Sequence, residues 1–169
     1  MSINNKVSHD SETSAQGKQV FTACAFIHSN FNGIEKLFLP KRALTKKFLP
    51  GVFELPGGHI DFGEDMVVGL KREIKEELES EVSVGDPFYV FTYSNEIKGS
   101  HSIEVIYFAK FITPISDIKL HADDHSEFQW FEQSEIDKII DNNKRTDDPE
   151  IKAIRKGFIL LRGSTINFG

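Results

Sequence analysis

Three glutamates, Glu73, Glu76 and Glu77, stand at i, i+3 and i+4 in the stretch LKREIKEELE. On an α-helix that spacing gathers them on one face, where each like-charged neighbour pair costs roughly 0.2–0.5 kcal/mol. A cation offsets that cost. Oxygen ligands that stay partly hydrated suit Mg²⁺ or Mn²⁺, hard ions that usually take one or two carboxylates and fill their remaining positions with water and phosphate oxygens. The same three residues also fit a solvated acidic helix face, which is the commoner use of a bare Glu-x-x-Glu-Glu.

The element that must position them is readable from its apolar residues. Val67, Leu70, Ile74 and Leu78 recur at helical spacing and predict a helix with one packing face and the carboxylates beside it. Glu64 and Asp65 fall in its first turn, where the helix dipole favours negative charge. Ahead of it, Gly57-Gly58 permits positive φ and close backbone approach.

Taken together, Gly58, Glu64, Arg72, Glu73, Ile74, Glu76 and Glu77 hold one fixed spacing. The stretch resembles the signature of the Nudix hydrolases, Gly-x5-Glu-x7-Arg-Glu-U-x-Glu-Glu-x-Gly-U, with U a bulky apolar residue. It departs at the last two positions, where Glu79 replaces the glycine and Ser80 the apolar residue. That glycine ends the helix in the left-handed conformation, so the departure predicts a helix ending about a turn differently, with Val82 in the apolar role. The resemblance implies an α/β fold, the Nudix-type α/β/α sandwich around a mixed β-sheet. It also implies Mg²⁺, with Mn²⁺ as the other ion, bound by Glu73, Glu76, Glu77 and the Gly58 carbonyl, and supported by Glu64.

Composition sets the outer limits. A chain of 169 residues, 39% of them hydrophobic, is long enough for one domain with a core. We expect a single domain over residues 19–169 behind a flexible lead, residues 1–18, that is rich in Ser and Asn; His9 within it reads as incidental. A net charge of −6 without a basic run argues against a nucleic-acid polymer. No stretch approaches the roughly 18 apolar residues of a membrane span and no signal-peptide core is present, so the expected compartment is the cytoplasm. The single cysteine, Cys24, lies in an apolar run and reads as a buried thiol.

Along the chain, Gln19–His28 reads as a strand buried on both faces, Asn32-Gly33 as a hairpin turn and Lys36–Arg42 as its partner strand. Ala43–Leu55 reads as a loop or short strand, with Lys46 and Lys47 solvated and Arg42 the better candidate to steer a phosphate. Strand patterns follow at Val82–Val84, Phe88–Tyr93 and Ser102–Ile112, with Phe91 and Tyr93 on one face. His59 reads as a loop side chain, and His121 and His125 as two solvated histidines. Glu127–Phe131 reads as a strand, Ser134 as the cap of a helix beginning EIDKII, and Asp147-Asp148-Pro149 as the start of a last helix with an Ile151, Ile154, Phe158, Leu161 stripe.

The resemblance implies cleavage of a phosphoanhydride in a substrate built on a nucleoside diphosphate, a small-molecule partner. The stretch FELPGGHIDFGE resembles members that convert a (deoxy)nucleoside triphosphate to monophosphate and pyrophosphate. Nucleotide sugars, ADP-ribose and dinucleoside polyphosphates are the alternatives, and a non-catalytic nucleotide-binding regulatory domain is the alternative of another class. Arg72, planar and permanently charged, is assigned to orienting a carboxylate. The general base is either Glu73 or a loop carboxylate, Glu127, Asp123 or Asp124, with Glu127 preferred among the three.

Overall fold

The structure is a computed structural model and describes residues 7–141 and 144–163. Its sheet forms around the apolar run of β1 (Gln19–Phe31), whose alternate side chains are buried on opposite faces. On one edge β1 pairs parallel with β5 (Ser100–Phe111). On the other edge it pairs antiparallel with two strands in turn, first β3 (Gly57–His59) and then β2 (Ile34–Arg42). β4 (Val82–Asn95) extends the sheet beyond β5, and β6 (His125–Glu132) extends it beyond β2, giving the order β4-β5-β1-β2-β6. One parallel pair among antiparallel ones makes the sheet mixed, as expected.

Each face is covered by a helix. α1 (Met66–Leu78) lays Leu70, Ile74 and Leu78 on Ala23, Ala25 and Ile27, and α2 (Pro149–Leu161) lays Ile151, Ile154 and Phe158 on Cys24, Phe26 and Ile106. Small alanines on the α1 side let that helix approach β1 closely. This is the α/β/α arrangement the sequence implies.

Several local expectations need correcting. Helix α1 ends at Leu78 because Glu79 itself adopts the left-handed conformation, φ 48°, and its N–H bonds the Lys75 carbonyl. The departure from glycine therefore changes the residue but not the helix end. Ser80 is buried with its hydroxyl donating to the Leu78 carbonyl, and Val82 packs beside Leu78 as anticipated. The two strand patterns Val82–Val84 and Phe88–Tyr93 are one strand, irregular near Pro87. The EIDKII segment is a 3-10 helix, Gln133–Ile139, capped by Glu132 through a reciprocal bond with Glu135 rather than by Ser134. Asp148 caps α2 with Pro149 at its first position, as read from the sequence.

Candidate active site

Arg72 is the hub of the acidic face. Its Nε and Nη2 hold the two oxygens of Glu64 at 2.9 Å each, Nη1 reaches Glu73 Oε1 at 2.7 Å, and Nη2 also donates to the His59 carbonyl at 3.0 Å. Glu64 in turn accepts the Asp61 N–H at 3.0 Å, so the loop between β3 and α1 is pinned to the helix. Glu76 lies 3.6 Å from the same guanidinium. Glu77 accepts the Gly57 N–H at 3.2 Å. Gly57 has φ 145°, and a Cβ there would lie 2.1 Å from the Ala23 carbonyl oxygen; at Gly58 it would lie 2.6 Å from Glu73 Oε2. Only glycine fits between β1 and the acidic face.

These carboxylates open onto a cavity of about 460 Å³, within the size range of small-ligand sites. Its wall is carried by the sheet face under α2. Phe91 and Tyr93 line it from β4, and Phe48 lies nearly parallel to Tyr93, centroids 6.2 Å apart. Arg42 and Lys46 bring positive charge. Arg42 is held by both oxygens of Glu54, at 3.1 and 3.2 Å, and donates to the Phe48 carbonyl, while Lys46 is 2.7 Å from Asp124. The Arg42 guanidinium, once burial is overcome, holds the Glu54 carboxyl near a pKa of about 2.

Of the residues singled out from sequence, Gly58, Arg42, Glu73, Glu76, Glu77 and Asp124 line one cavity, with Arg72 and Glu64 directly behind it. Glu127 is set apart: its side chain points from β6 to Lys41, 3.0 Å away, and it does not line the cavity, nor does Asp123. His125 corrects the expectation of a solvated histidine, being 2% exposed with Nε2 3.1 Å from Glu54; His121 is exposed. Residues 7–13 run across the acidic face. The buried Lys98 ammonium donates to the Ser8 and Asp10 carbonyls, and His9, read as incidental, lies 3.2 Å from Glu73 and 2.7 Å from Asp61. His59 donates to the His9 carbonyl at 2.6 Å, and burial drives its pKa down to about 4, which leaves it neutral.

A second set of polar residues, not legible in the sequence, lies deeper in the cavity. Lys144 is 2.6 Å from Glu150 and 2.5 Å from the Phe53 carbonyl, and Glu104 lies between β1 and β4. Asp-Pro at the start of α2 marked where Glu150 would sit, but nothing in the sequence pointed it inward.

A family model, the NUDIX domain, matches residues 20–154. The chain belongs to the Nudix family. Among solved structures, a MutT protein from Methanosarcina mazei Go1 superposes with a TM-score of 0.68 at 20% identity, over 89% of this chain and 100% of that one. An Ap4A hydrolase from C. elegans, solved as a binary complex, does so with 0.67 at 25% identity, over 86% and 99%. The NUDIX domain of Shewanella oneidensis NrtR, solved with ADP ribose, gives 0.65 at 16% identity, over 87% and 91%. Against the curated proteins the chain has no significant match. This Nudix protein is thus an enzyme, a pyrophosphohydrolase of the family's type, and no helix among its described residues is long and apolar enough to cross a membrane.

Nudix enzymes use divalent metals, and the donor set here fits one. His9, Glu73 and Glu76 offer ligand atoms all within 4.8 Å of one another. Glu77 adds a carboxyl raised well above its usual range, by burial first and then by the charges of Glu54 and Glu73. Carboxylates massed at this cost are what a hard cation stabilises.

Proposed function

We propose that this Nudix enzyme hydrolyses a (deoxy)nucleoside triphosphate to the monophosphate and pyrophosphate, with Mg²⁺ held by Glu73, Glu76, Glu77 and the Gly58 carbonyl. The observation that carries this reading is that a single cavity joins the acidic face of α1 to an aromatic-walled interior. A charged phosphate chain suits the first and a planar base suits the second. When bound, the ion neutralises charge on the phosphoryl oxygens and acidifies the attacking water.

The protein's own groups do the rest. Arg72 fixes Glu64 by two hydrogen bonds and Glu73 by one, so Glu73 meets the metal without reorganising. Glu73, raised by its burial, accepts the proton of the attacking water. Asp124 is the loop carboxylate retained as the alternative base, since it borders the cavity and Glu127 does not. Arg42 and Lys46 steer the phosphates toward the acidic end. A cytoplasmic enzyme acting on small nucleotides is consistent with the chain's net charge of −6.

A second reading, hydrolysis of dinucleoside polyphosphates, is supported by the 25% identity to the Ap4A hydrolase. The deciding experiment is a panel of nucleoside triphosphates, nucleotide sugars, ADP-ribose and dinucleoside polyphosphates assayed with Mg²⁺ for the released phosphate species. The triphosphates are expected to turn over best, and Glu77→Gln to lower kcat at least about a hundredfold by removing a metal-ligating charge of unchanged shape. Turnover of none of them, or a Glu77→Gln enzyme of wild-type rate, sinks the reading.

A further inference from the structure

The carboxyl of Glu104 stands in the cavity wall at the centre of β5, level with Thr22 on β1 and Phe91 on β4. The residue is 5% exposed. Thr22 Oγ1 is 3.3 Å from its Oε2, and the Cys24 thiol faces the same carboxyl. Its Oε1 has no hydrogen-bond partner among the described residues. A buried oxygen so left is costly in a folded protein unless something else supplies the missing partner.

The neighbouring charges are already matched. Glu150 is taken by Lys144 and by the Leu55 N–H, and Glu54 by Arg42 and His125. Among the described residues no unpaired cation is left beside Glu104. A phosphate suits it poorly, because the nearby cations Lys144 and Arg42 are already held by Glu150 and Glu54. What fits is a flat group that stacks on an aromatic face and offers a polar edge with both donors and acceptors.

We propose that Glu104 is the specificity-determining residue of this cavity, its free oxygen reading the polar edge of a nucleobase that lies against Phe91 and Tyr93. This rests on the nucleotide reading above and deepens it. Burial, and then the charge of Glu150, push the carboxyl up to about 8, so at neutral pH it both donates and accepts. Of the groups around it, Cys24 and Tyr93 are themselves raised by burial and stay neutral, while Glu150, also raised by burial, is held by the Lys144 ammonium. A neutral carboxyl pairs with the donor–acceptor edge of any base. Ionised, it accepts only, and the two adjacent donors of guanine, N1–H and the N2 amino group, then suit it best.

The test is calorimetric binding of the four nucleoside monophosphates and of pyrophosphate, all with Mg²⁺, to the wild type, Glu104→Gln and Glu104→Leu. Leucine keeps the bulk and removes the polar edge; it is expected to weaken every nucleotide by roughly tenfold and pyrophosphate not at all. Glutamine donates and accepts at every pH, so it should restore binding. In the wild type the preference for GMP over AMP should rise between about pH 6.5 and about pH 8.5, below the range in which guanine N1–H itself ionises. The phosphate titration common to both cancels in that ratio, which should stay flat in Glu104→Gln. Wild-type nucleotide binding by Glu104→Leu, or an equal loss of pyrophosphate, overturns the proposal. So does wild-type kcat/KM on nucleotides in Glu104→Leu, which leaves the hydrolase reading intact. No nucleotide binding by the wild type overturns both.

Discussion

Arg72 shows how one side chain can organise a site it does not itself complete. Its fork meets Glu64 with two parallel bonds and still reaches Glu73 and the His59 carbonyl. Lysine carries the same charge as a single point and cannot make these contacts together. Arg72→Lys should therefore lower kcat at least about tenfold and destabilise the fold by about 1–2 kcal/mol, since buried acceptors lose their donors. A loss confined to KM, with kcat and urea midpoint unchanged, would show that Arg72 contacts substrate instead of orienting the glutamates.

At the level of elements, α1 owes its place to two kinds of backbone device. Gly57 and Gly58 let β3 pass beside β1 where any Cβ would collide with the Ala23 carbonyl or with Glu73. At the other end, Glu79 performs the turn that a glycine performs without strain. A left-handed conformation costs a residue with a Cβ about 1 kcal/mol. The exposed contact between Glu79 and Lys119, at 3.9 Å, offsets little of this. Glu79→Gly should stabilise the protein by about 0.5–1 kcal/mol in urea denaturation and leave turnover unchanged. A destabilised variant would mean that the glutamate side chain matters more than its backbone.

For the whole molecule, the cavity concentrates charge that the fold alone does not neutralise. Glu77 is raised by burial and by Glu54 and Glu73, so the metal-free state carries electrostatic strain at this end of the sheet. Mg²⁺, binding the folded chain in preference to the unfolded one, should stabilise it by about 1.4 kcal/mol at ten times its Kd, a rise of about 3–6 °C in Tm. Glu76→Gln combined with Glu77→Gln should melt higher than the wild type without metal, because the repulsion is relieved while glutamine can still accept the Gly57 N–H. It should also lose most of the Mg²⁺ response. An undiminished shift in the double variant would place the ion elsewhere.

What the sequence determined by itself is what local periodicity encodes. Leu70, Ile74 and Leu78 alternate with Glu73, Glu76 and Glu77 at helical spacing, so one helix with a buried stripe and an acidic stripe follows from the residues alone, and Asp148-Pro149 starts α2 for reasons equally local. The Nudix resemblance carried the fold because its spacing is contained in one turn-and-helix unit. The cavity was decided only by the tertiary structure. Glu104 looks like any residue of an alternating strand until the parallel register sets it against Thr22 and the antiparallel one against Phe91. His125 follows Asp123 and Asp124 in sequence and is nonetheless buried on Glu54; Glu127, two residues on, faces solvent and Lys41. His9 reaches Glu73 across more than sixty positions of chain. Such placements depend on strand register and on long-range contacts, which no local pattern specifies.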